Sequence, residues 1–157
     1  MDYWSLGAFA LANFAAACSG AFFKPGDWYF ALRKPRWQPP GWLFAPAWTI
    51  LYGMNAAAGW FVWEAAGPGE AVLPMIVYAV QLVFNAAWSA LFFGMKRMDL
   101  AMGDVIALWV SVAATMVVFY PVDATAAWLL VPYLMWVSFA GLLNFTVWRL
   151  NPDANAA

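Results

Sequence analysis

Twelve tryptophans, six tyrosines and no histidine set the chemistry open to this 157-residue chain. Each indole or phenol has an apolar body and one polar handle, which suits it to a membrane interface or to the mouth of a ligand pocket. The densest cluster is the stretch Arg33–Tyr52. There Trp37, Trp42 and Trp48 stand among Arg33, Lys34, Arg36 and prolines at 35, 39, 40 and 46. That proline spacing excludes a simple helix and predicts an ordered loop running into one. An aromatic belt and a ligand mouth fit the composition of this stretch equally well. Without histidine the usual general base, metal ligand and proximal haem ligand are missing. Methionine and tyrosine remain as iron ligands, and no metal site is expected. No Gly-rich phosphate loop, nucleophile elbow, Cys/His cluster or paired membrane carboxylates occur, so no standard hydrolytic or redox machinery is visible.

The other polar groups fall on narrow helical faces. Trp48, Tyr52, Asn55 and Gly59 are spaced i, i+4, i+7 and i+11, and so are Gln81, Asn85, Trp88 and Phe92, with Ser89 beside them. Trp136, Ala140 and Asn144 follow at four-residue steps and put an indole, a gap and an amide on one side of a helix. Amides are costly in lipid, so these faces must meet other helices or a cavity. Interhelical hydrogen bonding is the plainer of the two uses. Asp104 shares a face with Ser111 and Thr115, and an ion pair or hydrogen bond with nearby loop groups is expected for it.

The elements that must position these groups are membrane helices. Hydrophobic residues make up 66% of the chain, charged residues 10%, and mean hydropathy is +0.71. That leaves too little polar surface for a soluble domain of this size. The pattern predicts an all-α membrane protein, a five-transmembrane-helix bundle forming one domain, with spans near 3–23, 42–64, 71–93, 100–120 and 124–148. A long ordered loop, 24–41, joins the first two. Asp2 and the lack of a basic flank argue against a signal peptide, so the first span is kept. All seven Lys and Arg lie in alternate connections or at the end of the last span: Lys24, Arg33, Lys34 and Arg36, then Lys96 and Arg97, then Arg149. The positive-inside rule then puts the first loop and the C-terminus on one side, the cytoplasmic one for a bacterial inner membrane, while insertion into an outer membrane would escape the rule. A net charge of −1 gives no footprint for nucleic acid. Cys18 is alone and reads as a packing residue. Ala12, Ala16 and Gly20, like Ala79, Ala86 and Ala90, form small-residue edges suited to bundle packing or dimerisation.

Several longer stretches carry a resemblance: Lys34-Pro35-Arg36-Trp37-Gln38-Pro39-Pro40-Gly41, Pro46-Ala47-Trp48, Leu51-Tyr52-Gly53, Asn85-Ala86-Ala87-Trp88-Ser89 with Phe92-Phe93, Pro132-Tyr133 with Trp136, and Leu143-Asn144 with Trp148-Arg149-Leu150-Asn151. In this order they resemble the tryptophan-rich sensory protein and translocator protein family (TspO/MBR, the peripheral-type benzodiazepine receptors), and the photosynthetic proteobacterial members in particular. The resemblance implies a five-helix bundle, commonly a homodimer, that binds tetrapyrroles such as protoporphyrin IX, benzodiazepine-type ligands and, in some members, cholesterol or other lipid. No cofactor is required. It implies a role in tetrapyrrole transport and in regulating stress or photosynthesis genes.

By that resemblance the pocket lies between the bundle and the first loop, which acts as its lid. Trp37, Trp48, Tyr52, Asn85, Trp88, Trp136 and Asn144 carry over as ligand-binding residues, with Ala140 in the same wall. Ser138 stands where relatives often have alanine and is expected to bear on ligand selectivity. Trp48 and Trp136 match the pair associated with light-driven porphyrin breakdown. A porphyrin is a flat apolar disc with two carboxylates, which Arg33, Lys34 and Arg36 can meet at the mouth, although a positive-inside loop explains each of them as well. The sterol pattern Leu143, Phe145, Arg149 has phenylalanine where tyrosine is usual, which weakens it. Three readings follow: a tetrapyrrole-binding or transport protein, a light-dependent porphyrin-degrading activity, and a membrane scaffold whose aromatics only pack helices.

Overall fold

The computed structural model describes residues 2–155, most of them helical, with no strand among the described residues. In chain order the helices are α1 (Tyr3–Phe22), α2 (Asp27–Ala31), α3 (Phe44–Glu70), α4 (Val72–Ser89), α5 (Met98–Phe119), α6 (Ala124–Leu129) and α7 (Val131–Leu150). Local chemistry sets several of these limits. The Asp2 carboxylate accepts the Trp4 N–H at 3.0 Å to cap α1, and Asp123 accepts the Ala126 N–H at 2.9 Å to cap α6. Pro132 falls in the first turn of α7, where its missing N–H costs nothing. At its far end α4 widens into a π turn, Ala90–Gly94, and the chain leaves it through Lys96 at φ +57°.

Four stretches are long and apolar enough to cross a membrane: Tyr3–Phe22, Val72–Gly94, Met98–Phe119 and Ala124–Leu150, the last joining α6 to α7. The sequence predicts five. The missing one is α3, which has 27 residues but is interrupted by tryptophan, tyrosine, asparagine, glycine and proline, all of which lower its mean hydropathy. Two further expectations change. The second span, expected to end near 64, runs on as α3 to Glu70, with a break at Gly67 (φ +71°), a conformation that favours glycine. The connection 24–41 is not one continuous loop, because it holds α2 and leads into a 3₁₀ turn at Gly41–Leu43.

α1 packs on α3 and α4, α4 on α5, and α5 on α7, while α6 closes on α3; α3 and α7 touch only sparsely. One apolar cluster, including Val62, Val112 and Phe119, fills the middle, and a second, around Phe92, Met98 and Val147, lies toward the basic end. Through the middle runs a chain of polar side chains from four helices. Asn55 Nδ2 donates to Asn13 Oδ1 at 2.8 Å, Asn13 Nδ2 to the Tyr78 hydroxyl at 2.6 Å, and Tyr78 to the Asn55 carbonyl at 3.2 Å. Gln81 Nε2 donates to Asn55 Oδ1 at 3.3 Å, and Gln81 Oε1 accepts from the Tyr133 hydroxyl at 3.0 Å. Asn85 Nδ2 donates to Tyr133 at 2.7 Å, and its Oδ1 accepts from the Tyr52 hydroxyl. Interhelical bonds of this kind average about 0.6 kcal/mol each in membranes, so their number matters more than any one of them.

Close approach of α1, α3 and α4 depends on Gly59. A Cβ there would lie 2.8 Å from the Phe9 ring and 2.9 Å from the Tyr78 ring, whereas Gly53, also on α3, has nothing within 4 Å. Gly59→Ala is therefore expected to cost about 1–3 kcal/mol by overpacking. Gly53→Ala should leave stability unchanged or raise it slightly. Thermal unfolding of the two variants in one detergent checks the contrast.

Candidate functional site

Toward the basic end the helices part around a mostly apolar cavity of about 630 Å³, within the size range of small-molecule sites. Three walls come from stripes visible in the sequence. α3 supplies Phe44, Trp48 and Tyr52; α4 and its π turn supply Asn85, Trp88, Phe92 and Phe93; α7 supplies Trp136, Ala140, Leu143 and Asn144. α1 adds Ser19 and Gly20, and α5 adds Val105 and Leu108. The last wall is the connection between α1 and α3, through Pro25, Tyr29, Phe30, Gln38 and Gly41.

Aromatic contacts hold these walls in shape. Trp48 meets Tyr133 edge-on at 6.2 Å and Trp136 edge-on at 6.4 Å, and Phe44 meets Trp136 at 5.8 Å. Trp88 stacks on Phe92 at 4.9 Å, and Tyr29 meets Phe93 edge-on at 5.3 Å. Tyr52 and Asn85 belong both to the cavity wall and to the polar chain, so the network ends at the cavity. Four buried polar atoms of wall residues have no hydrogen-bond partner among the described residues: the indole N–H groups of Trp88 and Trp136, Asn144 Oδ1 and Gln38 Oε1. Asn144 is only 2% exposed, and its Nδ2 donates to the Met98 carbonyl at 3.1 Å, which leaves its oxygen as an unused acceptor. Two donors and two acceptors thus lie buried and unpaired among the residues that wall this mostly apolar cavity, and leaving a buried polar atom unpaired costs about 1–3 kcal/mol.

The structure brings Trp48, Tyr52, Asn85, Trp88, Trp136, Ala140 and Asn144 together in this wall. Other expected site residues lie elsewhere. Trp37 is 46% exposed and packs edge-on against Phe139 at 5.9 Å, outside the cavity. Ser138 is on the outer face of α7, where it accepts the Trp109 indole N–H at 2.8 Å and donates to the Leu134 carbonyl. It stands two positions from Trp136, about 200° around the helix, and so cannot share the same wall. The same geometry divides the sterol pattern, since Leu143 lines the cavity while Phe145 is exposed with Arg149 over its ring at 5.7 Å.

None of the seven basic residues lines the cavity among the described residues. Arg33 and Arg36 are exposed. Lys34 lies 4.4 Å from the centroid of the Tyr29 ring and donates to the carbonyls of Phe30 and Leu32, and partial burial lowers its pKa from the usual lysine value. Burial raises that of Tyr29, against a smaller opposing effect of the Gln38 amide that donates to it at 3.1 Å. Asp104 departs from expectation too. Arg97 is taken by a bidentate pair with Asp99 at 2.8 and 2.6 Å, and the buried Asp104 Oδ2 has no partner among the described residues.

Sequence reasoning did not place Tyr29 or Gln38 in the site, nor Tyr133 behind it, where its hydroxyl meets Asn85 and its ring meets Trp48. Tyr133 was within reach of it, because it precedes Ala140 and Asn144 by seven and eleven residues on the same face. Tyr29 and Gln38 lie in a connection with no periodic signal.

Fold and cavity define a multi-pass integral membrane protein with an aromatic-walled cavity among its helices. The chain belongs to the TspO/MBR family, whose model matches residues 8–149. It is 45% identical over 152 residues to protein CrtK of Rhodobacter capsulatus, covering 94% of this chain and 95% of that protein. It is also 45% identical over 159 residues to the tryptophan-rich sensory protein of Cereibacter sphaeroides, covering 99% of each. To the translocator protein of Homo sapiens it is 39% identical over 148 residues, covering 91% of this chain and 88% of that protein.

Gln81→Leu would leave the Tyr133 hydroxyl without its acceptor, and is expected to destabilise the protein by about 1–3 kcal/mol. Ser138→Ala touches neither network nor cavity and removes the acceptor of the Trp109 indole N–H, so it should cost about 0.6 kcal/mol, the average for one such bond. Paired melting curves test this.

Proposed function

We propose that this protein binds flat, mostly apolar ligands in the cavity, tetrapyrroles such as protoporphyrin IX foremost, and takes part in their traffic or sensing within the membrane. The observation that carries the proposal is the set of unpartnered polar atoms of Trp88, Trp136, Asn144 and Gln38 on a wall of stacked rings. A metal-free porphyrin offers faces for the rings, ring N–H donors for the amide oxygens, and acceptors for the indoles. Its carboxylates would stay outside, because no cation lines the cavity, and the exposed Arg33 and Arg36 would meet them at the mouth. Benzodiazepine-type ligands fit the same description. The relatives named translocator protein and tryptophan-rich sensory protein favour transport and regulatory roles for the same site.

The reading includes α3 as a fifth span, with residues 24–41 as a lid and the basic end in the cytoplasm. It also includes a homodimer; cross-linking in lipid should give a dimer band, and a ladder that stops at monomer removes that part. A second reading, light-dependent oxidation of bound porphyrin by dioxygen, is favoured by Trp48 and Trp136 meeting at 6.4 Å in the cavity wall.

Titration with protoporphyrin IX should quench tryptophan fluorescence saturably. Trp48→Phe and Trp136→Phe should each weaken binding by about tenfold, the loss expected for one good aromatic contact of about 1.4 kcal/mol. Ser138→Ala should bind like the parent. Unsaturable quenching, or equal affinity in both tryptophan variants, contradicts the proposal. Loss of porphyrin absorbance only under light and oxygen, and absent in the same variants, would support the second reading.

A further inference from the structure

The connection that walls the cavity is fastened from the far end of the chain. After α7 the chain turns at Pro152-Asp153, and residues 151–155 lie against two other parts of the basic end. Asn151 grips Arg33 by its backbone: its Oδ1 accepts the Arg33 N–H at 2.9 Å and its Nδ2 donates to the Arg33 carbonyl at 2.8 Å. The Trp28 indole N–H donates to the Ala154 carbonyl at 3.0 Å, and the Asn155 Oδ1 accepts the N–H of Met98 at the start of α5 at 2.9 Å. Trp28 and Arg33 flank Tyr29 and Phe30, the two residues of α2 that line the cavity.

We infer that residues 151–155 are a clamp on the cavity wall and that Asn151 is a positioning residue for ligand binding. The connection has few anchors of its own. Its backbone bonds are local ones, from Phe30 to Gly26, Leu32 to Tyr29 and Gln38 to Pro35, and four prolines stand within or beside it. A five-residue helix is far below the length that is stable alone. Side-chain packing holds the connection over the cavity, through buried Leu32, Tyr29 on Phe93, Trp37 on Phe139 and Trp28 edge-on against Phe92 at 5.9 Å, while its hydrogen bonds to the end of α7 and the residues after it are those of the Trp28 indole and the Asn151 grip. Both amide groups of Asn151 are used, and Nδ2 also donates to the Val147 carbonyl at 2.7 Å, so the side chain is fixed to α7 while it holds Arg33. Only an amide supplies both donor and acceptor here; aspartate keeps the acceptor alone. The inference rests on the ligand reading above for its second measurement only.

The first measurement is amide hydrogen exchange in lipid nanodiscs, without ligand, on the parent, Asn151→Ala, Asn151→Asp and Trp28→Phe. The amides to follow are Phe30, Leu32 and Gln38, whose own acceptors none of these changes removes. Exchange there should speed up by about tenfold in Asn151→Ala, the order set by two hydrogen bonds of ordinary net strength, with α5 unchanged. Trp28→Phe keeps the ring and loses one bond, so it should show a smaller effect, and Asn151→Asp should fall between parent and alanine. Parent-like exchange in both Asn151→Ala and Trp28→Phe overturns the clamp. The second measurement is dissociation of protoporphyrin IX, which should be faster in Asn151→Ala by a similar factor, with quenching at saturation unchanged because the tryptophans stay in place. An unchanged dissociation rate overturns Asn151 as a positioning residue. If the parent binds no porphyrin, the proposed function fails, and the exchange result alone decides the clamp.

Discussion

Every polar side chain inside a membrane bundle must find a partner there, because lipid offers none. In this protein that requirement is met largely by one connected chain, from Asn13 on α1 through Tyr78, Asn55, Gln81 and Tyr133 to Asn85 and Tyr52. Its members come from α1, α3, α4 and α7, so the helices cannot slide or rotate past one another without leaving several groups unsatisfied. Apolar packing alone is less specific, since lipid tails and leucine side chains are equally good neighbours. The network fixes the register of the bundle, and Gly59 allows the approach that its short bonds need.

The cavity follows from where that network stops. Along one stripe of α4 the residues run Tyr78, Gln81, Asn85, Trp88, Phe92, from hydrogen-bonding groups to rings. Where the stripe is polar, α1, α3 and α7 are drawn in. Where it turns aromatic, the same helices are held apart by Trp48, Trp88 and Trp136, and a space opens that Tyr29 and Gln38 help to wall. Asn85 and Tyr52 stand at the boundary and belong to both regions. A ligand entering that space would press on groups tied to four helices, which is a physical route from occupancy to the conformation of the bundle.

Much of this could be read in the sequence, and the parts that could not share a reason. Helical periodicity put Trp48 with Tyr52, Asn85 with Trp88, and Trp136 with Ala140 and Asn144 on single helix faces, because spacings of three, four and seven select one face whatever the neighbours are, and the family resemblance supplied their meeting in one pocket. Ser138 and Phe145 were singled out by family patterns, which follow the order of the chain, and two-residue steps from Trp136 and Leu143 carry both to the outer face of α7. Trp37, Tyr29 and Gln38 depend on how a proline-rich connection folds back, and no period reports that. Asp104 was expected to pair with the basic connection after α4, but Asp99, two residues from Arg97, takes that guanidinium first. α3 was legible as a helix, yet it is not among the four stretches apolar enough to cross a membrane, since the rings and amides that make it a wall are the ones that lower its hydropathy.

The most direct check on the central claim is an experimental structure of the protein in lipid with protoporphyrin IX bound. This account expects the macrocycle in the cavity, bordered by Trp48, Trp88 and Trp136, with Asn144 and Gln38 within hydrogen-bond reach and the Asn13-to-Tyr52 network intact. A macrocycle seated instead on the outer groove beside Ile50, Met54 and Met135, with the cavity closed by repacked rings, would contradict it.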